Sequence, residues 1–320
     1  MMSVKELSIE MGRRPLKTGE ILQGAYRLMN EKFGWFLILS VLVYLPINLV
    51  QQFPLLQIDL TGLAALSQSS DVSMEELIQS DQMQAVIKQA GIQAGISVVM
   101  LFVELIAIMV TAVILHYQLF IETATDQAGV PYHNQESFGQ VFYQGIRMWP
   151  RGAATLFFLL LGFLIAVLCL GVLSLSPVML FVTMPVMIFC MLRFLMYESS
   201  SGAVAALRGR IGFDNLNYVR TVLGDRSMYL FGQYTVAILI SNGLSMVFNV
   251  LMTMSLQYIT NQWAAYAASC AIGTLLSILN LYGFTAQVLI FLSREEYLRA
   301  QAQQAGTSGQ QDPGQRQDKW

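Results

Sequence analysis

Long apolar runs, free of charge, set the pattern of this chain. No Asp, Glu, Lys or Arg occurs between Gly152 and Leu192, or between Ser227 and Ser293. About 20 apolar residues cross the hydrocarbon core of a bilayer, so each gap has room for two crossings. Two earlier runs complete a predicted set of six transmembrane helices: Phe33–Phe53, Ile92–Leu115, Ala153–Ser174, Pro177–Met196, Met228–Leu256 and Ala264–Ser293. A short turn around Ser174–Pro177 joins the third to the fourth, and the polar segment YITNQW joins the fifth to the sixth. The predicted fold class is all-α, a polytopic membrane protein. Residues 1–17 form an N-terminal segment and 18–300 the membrane domain. The tail 301–320, rich in Gln and Gly, has nothing to bury in a core and is expected to be disordered.

Charge adds direction. Only 12% of the 320 residues are charged, against about 25% in an ordinary soluble domain. The stretch before the first helix holds Lys5, Arg13, Arg14, Lys17, Arg27 and Lys32; the loop before the third helix holds Arg147 and Arg151. Arg193 near the end of the fourth helix is followed by Arg208, Arg210, Arg220 and Arg226, and Arg294, Arg299, Arg316 and Lys319 follow the sixth. With six crossings these 17 of 18 basic residues share one side, and Lys88 alone lies opposite. Basic loops stay in the cytoplasm, so both termini are expected there, in a multi-pass plasma-membrane protein whose first partner is the bilayer. The first apolar run, from Phe33, is too long for the core of a signal peptide. A net charge of −2 gives no reason to expect nucleic acid.

The outer loop 54–90 carries a capping box, Ser73 with Glu76. Met74, Leu77, Ile78, Val86 and Ile87 then recur at near-helical spacing, which predicts an amphipathic helix on the outer surface or over the bundle mouth; a plain helical spacer is the competing account.

A unit repeats inside the membrane domain. TGEILQGAYRLMNEKF, from Thr18, aligns with FGQVFYQGIRMWPRGA, from Phe138. Ile21 meets Val141, Ala25 meets Gly145, Arg27 meets Arg147 and Leu28 meets Met148. A looser third copy, FDNLNYVRTVLGDR, starts at Phe213. Each predicts an interfacial helix with its aliphatics toward lipid, leading into a helical hairpin. Internal repeats are a feature of transporters, whose sites form where repeats meet.

RPLKTGEILQGAYRLMNEKFGWFLILS, together with YESSSGAVAALRGR after the fourth helix, resembles a group of bacterial six-helix membrane proteins. The group includes the membrane domain that precedes some glycerophosphodiester phosphodiesterases. The resemblance covers the chain to about Ala300 and rests on a Tyr-Arg-Leu before the first span and on Glu198, Gly202, Ala206 and Leu207. It implies an integral membrane module. It does not imply hydrolysis, because no segment of this chain corresponds to the catalytic barrel.

Catalytic motifs do not emerge. No phosphate-binding loop, His-Glu-x-x-His or Gly-x-Ser-x-Gly occurs. REEYLR spaces Glu296 and Arg299 too closely for an intramembrane protease motif and reads as a solvated helix end. His116 and His133 stand outside any metal-ligand cluster, and Cys169, Cys190 and Cys270 sit in apolar spans. Neither metal nor cofactor is expected.

The polar residues inside the spans carry the candidate chemistry. Glu104, in LFVELIAIMV, lies near the middle of the second helix, and Tyr44, Asn242 and Asn280 lie at similar depth in the first, fifth and sixth. An acid in mid-bilayer costs about 2.5–3.5 kcal/mol on insertion scales. Glu104 is therefore expected to face the interior, either hydrogen-bonded in its protonated form or open to water. Glu104 with Tyr44, Asn242 and Asn280 is the candidate midplane site; interhelical bonds that only fix packing are the competing account. Ser241 and Ser245 on the fifth helix, and Ala265, Ser269, Gly273 and Ser277 on the sixth, recur every four residues. They predict a close seam between those two helices. Pro46 and Pro185 fall within spans.

Two functional classes follow. One is a transporter or permease-like subunit moving a small solute or lipid through the polar midplane, with a cavity that reaches Glu104. The other is a membrane scaffold that recruits a cytoplasmic or membrane protein partner, with a dry midplane.

Overall fold

A computed structural model describes residues 3–53, 81–122, 136–174, 177–224, 227–256, 259 and 261–308. Among them there is no strand. In chain order the helices are α1 (Val4–Arg13), α2 (Thr18–Glu31), α3 (Phe33–Gln52), α4 (Asp81–His116, closed by a π-turn over Tyr117–Ile121), α5 (Phe138–Leu173), α6 (Pro177–Arg208), α7 (Gly212–Leu223), α8 (Ser227–Leu256) and α9 (Gln262–Ser308). Six of these, α3, α4, α5, α6, α8 and α9, are long and apolar enough to cross a membrane. This is the architecture of a multi-pass, all-α membrane protein.

Local chemistry explains where the helices start. The Ser3 hydroxyl accepts from Glu6 N–H at 3.1 Å while the Glu6 carboxylate accepts from Ser3 N–H at 2.5 Å. Ser137 and Gln140 form the same reciprocal box at the head of α5, satisfying two amide donors that a helix start leaves open. Asn261 Oδ1 accepts from Trp263 and Ala264 N–H at 3.0 and 3.2 Å, which starts α9 inside the YITNQW segment. The turn from α6 to α7 needs left-handed backbone at Gly209 (φ 65°) and Gly212 (φ 59°). Arg151 donates to Gly209 O at 3.0 Å, and Gly212 N–H donates to the Thr155 hydroxyl at 2.9 Å, so α5 holds that turn from the side.

Several expectations change. The capping box at Ser73 and the apolar positions 74–78 lie outside the described residues; from Asp81 onward the chain is already helical and runs without a break into the span. The last helix continues past Gln301 to Ser308, because Ala302, Gln303, Gln304 and Ala305 are good helix formers. Residues 309–320 of the expected disordered tail are not described. The second copy of the repeat has no joint: its amphipathic half and its span form one helix, Phe138–Leu173, with Pro150 inside it. In the first copy Lys32 separates the two parts, and in the third Gly224 does, at φ 39°.

The chain forms two compact units. The first takes its described residues from Met1–Phe33, Ile108–Ser241 and Tyr282–Trp320; the second from Gly34–Ala107 and Asn242–Leu281. In the first unit the amphipathic repeat helices turn their aliphatics into protein, where lipid was expected. Ile21, Ala25 and Leu28 of α2 are buried with Leu7 and Met11 of α1, Ile108 and Leu115 of α4, Val219 and Leu223 of α7, and Leu289 of α9. Val141 and Gly145 are buried at the matching positions of α5. The reason is the small residue in each motif. Gly24 leaves room for Leu7 and Leu289, and Gly145 lies against Val110 so closely that a Cβ there would come within 2.6 Å of the valine methyl and 3.1 Å of its Cα.

The REEYLR segment is also not a solvated end. Glu295 is 2% exposed. Arg208 grips it bidentately, Nε to Oε1 and Nη2 to Oε2, both at 3.0 Å. Tyr218 donates a short bond to Oε1, and Arg299 adds another at 3.2 Å. One carboxylate thus ties together α6, α7 and α9, with the geometry that makes Arg–carboxylate pairs strong.

At the N-terminus, Glu20 accepts from Arg14 Nη1 and Nη2 at 2.9 and 2.8 Å and from Lys17 N–H at 2.8 Å. The Arg14 hydrogen bonds, aided by Lys17, hold its carboxyl below the ordinary carboxylate range. A carboxyl whose folded pKa is depressed stabilises above its unfolded pKa, and that contribution fades as pH falls through the folded value. Two outcomes are expected. Hydrogen exchange across 3–17 should speed up as pH is lowered from 5 toward 3 after correction for intrinsic exchange, and Glu20→Gln should show the fast exchange at every pH. Gly145→Ala should lower the melting temperature in detergent, since overpacking of this kind costs about 1–3 kcal/mol. Gly162→Ala, with nothing within 4 Å of the added methyl, should leave it unchanged or raise it.

Candidate midplane cavity

Polar stripes at helical spacing build the site, all of it within the second unit. On α3, Tyr44, Asn48 and Gln51 follow i, i+4, i+7; on α4, Ser97, Leu101 and Glu104 do the same. Ser245 and Asn249 on α8 are one turn apart, and α9 adds Gly273, Ser277 and Asn280. Together with Gln52 and a few aliphatics these residues line a cavity of about 420 Å³. Such a volume falls within the range of small-molecule sites.

Glu104 stands about 20 Å along the helix from Gly91, the first residue of its apolar span. Tyr44 OH donates to Glu104 Oε1 at 3.0 Å. Among the described residues this is the only hydrogen bond to Glu104, so Oε2 is available to the cavity. Gln51, Gln52 and Ser97 lie toward the α3 C-terminus and the start of the α4 span, so the polar lining continues from mid-helix to the helix ends. Side chains fix that end of α3. Tyr266 OH donates to Leu49 O at 2.8 Å, and Gln93 Nε2 donates to Gln51 O at 3.1 Å, satisfying carbonyls that a helix C-terminus leaves open.

Below the cavity the helices close. Ser40 Oγ lies 2.7 Å from Ser277 Oγ and donates to Thr274 O at 2.5 Å. Asn48 Nδ2 donates to Thr274 Oγ1 at 3.3 Å. Gly273 supplies the notch for Asn48, whose amide atoms lie 3.3 Å from where a Cβ would stand.

The expected residues are sorted by this geometry. Tyr44, Glu104 and Asn280 share the cavity, and Asn280 Oδ1 accepts from Ser245 Oγ at 3.2 Å. Asn242 does not join them. It is exposed and lines a neighbouring groove with Ser245, Met246, Asn249, Val250 and Met254. The predicted seam divides as well. Ser245 meets Asn280 across α8 and α9, and in the first unit Ser241 sits so close to Gly283 that an added Cβ would meet its Oγ at 2.5 Å. Gly273 and Ser277 instead pack on α3; Ala265 and Ser269 are half-buried on the same helix. Asn48, Gln51, Gln52 and Ser97 were not anticipated. Their signal was the recurrence of polar groups on one helix face, Tyr44, Asn48 and Gln51 on α3 and Ser97 with Glu104 two turns on in α4, away from mid-span depth.

Among the described residues no group of three His, Cys, Asp or Glu could hold a metal. Among the described residues no lysine, arginine or histidine lines the cavity. Glu104 is its single ionisable acid, among amides and hydroxyls that both donate and accept. The arrangement can solvate a polar or cationic group; it offers an anion no charge partner. The chain matches no protein-family model, no curated protein and no solved structure.

Aqueous access to this cavity is directly measurable. In a background with Cys169, Cys190 and Cys270 replaced by Ala, Ser97→Cys and Asn280→Cys should react with the cationic thiol reagent MTSET. Leu105→Cys, at a position 1% exposed, should not. The anionic reagent MTSES should react with Asn280→Cys at least fivefold more slowly than MTSET. Equal rates, or no labelling at either cavity position, would contradict a hydrated site next to Glu104.

Proposed function

We propose that the protein is a carrier or permease-like subunit that takes a small polar or cationic molecule into the membrane at Glu104. One observation carries this reading: a carboxyl in the middle of a span has a single partner among the described residues and opens on a cavity with hydrogen-bonding groups on four helices. Packing alone does not call for such an arrangement. An intramembrane acid kept only for structure is saturated with partners, because every unmet bond in hydrocarbon is costly. The segregation of basic residues supports a mouth facing away from the cytoplasm, since the α3–α4 connection belongs to the side that holds only Lys88. The same rule supports cytoplasmic termini in a plasma-membrane protein. Tyr44 holds one carboxyl oxygen, so the other is presented in a defined direction.

Transport is tested with probes of the two chemistries the lining accepts. The purified full chain is reconstituted in liposomes, and entry of radiolabelled choline (a permanent cation) and myo-inositol (a neutral polyol) is timed. Entry of at least one should exceed that in protein-free vesicles, and choline entry should fall tenfold or more in Glu104→Gln. Entry no faster than in bare vesicles for both, with MTSET labelling of Asn280→Cys intact, would remove transport and favour a binding module that recruits a partner.

A further inference from the structure

A groove lies beside the cavity. It measures about 470 Å³ and is lined by Asn242, Ser245, Met246, Asn249, Val250 and Met254, all on α8. Ser245 and Asn249 also line the Glu104 cavity, so one wall serves both spaces. The two spaces differ in chemistry. The cavity is lined by amides, hydroxyls and a carboxyl. The groove adds three flexible or aliphatic side chains that stand open, Met246 at 69%, Val250 at 51% and Met254 at 59% exposure. From Met246 to Met254 the groove follows about 12 Å of helix.

Asn242 sharpens the contrast. It lies within the apolar span Ser227–Met252, is exposed, and has no hydrogen-bond partner among the described residues. A carboxamide facing acyl chains leaves its bonds unmet at a cost. It is accounted for if the molecule that occupies the groove brings polar atoms to it.

We propose that groove and cavity are one site for a single-chain amphiphile with an amine-bearing polar end. The ammonium end enters the cavity toward Glu104 Oε2 and the amide groups. The chain next to it passes Ser245 and Asn249, where polar linkage atoms meet Asn242, and then lies along Met246, Val250 and Met254. Methionine suits such a surface, being unbranched and adaptable to chains of varied shape. Charge selects the polar end: the described lining of the cavity holds a carboxyl and no basic residue, so a fatty acid or other anionic amphiphile finds no counter-charge there. This rests on the reading of the cavity as a binding site and adds that its ligand arrives through the lipid.

Photolabelling of the full chain in phosphatidylcholine nanodiscs tests it. The probes are hexadecylamine and palmitic acid, each with a mid-chain diazirine and a terminal alkyne, and labelled residues are mapped by mass spectrometry. The amine should label 242–254 at least fivefold more than the acid, and a millimolar excess of choline should reduce that labelling at least threefold. Glu104→Gln should erase the difference between the probes, and Val250→Trp, which fills the groove, should suppress labelling while MTSET still reaches Asn280→Cys. The choline competition needs no variant, so a misfolded Glu104→Gln protein does not remove the test. Equal labelling by amine and acid, unaffected by choline, means ordinary lipid contact and overturns the proposal. If MTSET still prefers Asn280→Cys over MTSES in that case, the cavity reading stands and only the amphiphile is lost. If the preference is absent too, both fall.

Discussion

Hydrocarbon offers no hydrogen bonds, and that constraint governs where this chain can place a polar group. Every backbone amide in a span is met within its own helix, and every polar side chain there must find protein, water or a ligand. The clustering of polar groups follows. Ser40, Asn48, Thr274 and Ser277 bond one another across α3 and α9. Tyr266 and Gln93 cap the end of α3. What remains after this pairing, Glu104 with the amides and hydroxyls around it, opens on a cavity.

The same constraint acts on the first unit through packing. Its amphipathic helices bury their apolar faces against other helices, and small residues let them approach closely. Gly24, Ala25 and Gly145 sit at the points of closest approach, and the aliphatics between them complete a core with α1, α4, α7 and α9. The repeat therefore encodes a docking surface, and its later half differs from copy to copy according to whether lysine, glycine or an unbroken helix joins it to the span.

Much of this was legible before any coordinates. Long apolar runs, charge-free except for Glu104, specify six apolar helices, and the i, i+4, i+7 recurrence of Ile21, Ala25 and Leu28 and of Val141, Gly145 and Met148 marks the α2 and α5 faces. The buried side of each face was legible; its partner was not, since Ile21 and Val141 would look the same against lipid as against Leu7 or Val110. Glu104, Tyr44 and Asn280 were recognisable from polarity at depth. Asn242 shares that depth but lies on another side of its helix, which composition does not reveal until neighbouring helices are placed. Gly273 and Ser277 could be seen as a close-packing stripe, yet the stripe carries no label naming α3 as the helix it meets. REEYLR misleads for a related reason: Glu295 has the sequence context of a surface residue, and its arginine lies 87 positions earlier.

Two acids, Glu295 and Glu104, show how the constraint separates structure from function. Glu295 is 2% exposed and receives bonds from Arg208, Tyr218 and Arg299, so both of its oxygens are used. Removing one partner from such a cluster leaves a charge stranded, typically at about 3–5 kcal/mol, and a group so bound has nothing left to offer a ligand. Glu104 has the opposite balance. Among the described residues a single tyrosine hydroxyl engages one oxygen, no basic side chain lines its cavity, and amide groups from three helices face the same space. Were Glu104 retained for packing, selection for stability would favour a glutamine or an apolar residue there, since either avoids the cost of an acid in hydrocarbon. An under-satisfied acid beside an open polar space is the arrangement that binding requires, because the bond withheld from the protein is the one a ligand completes.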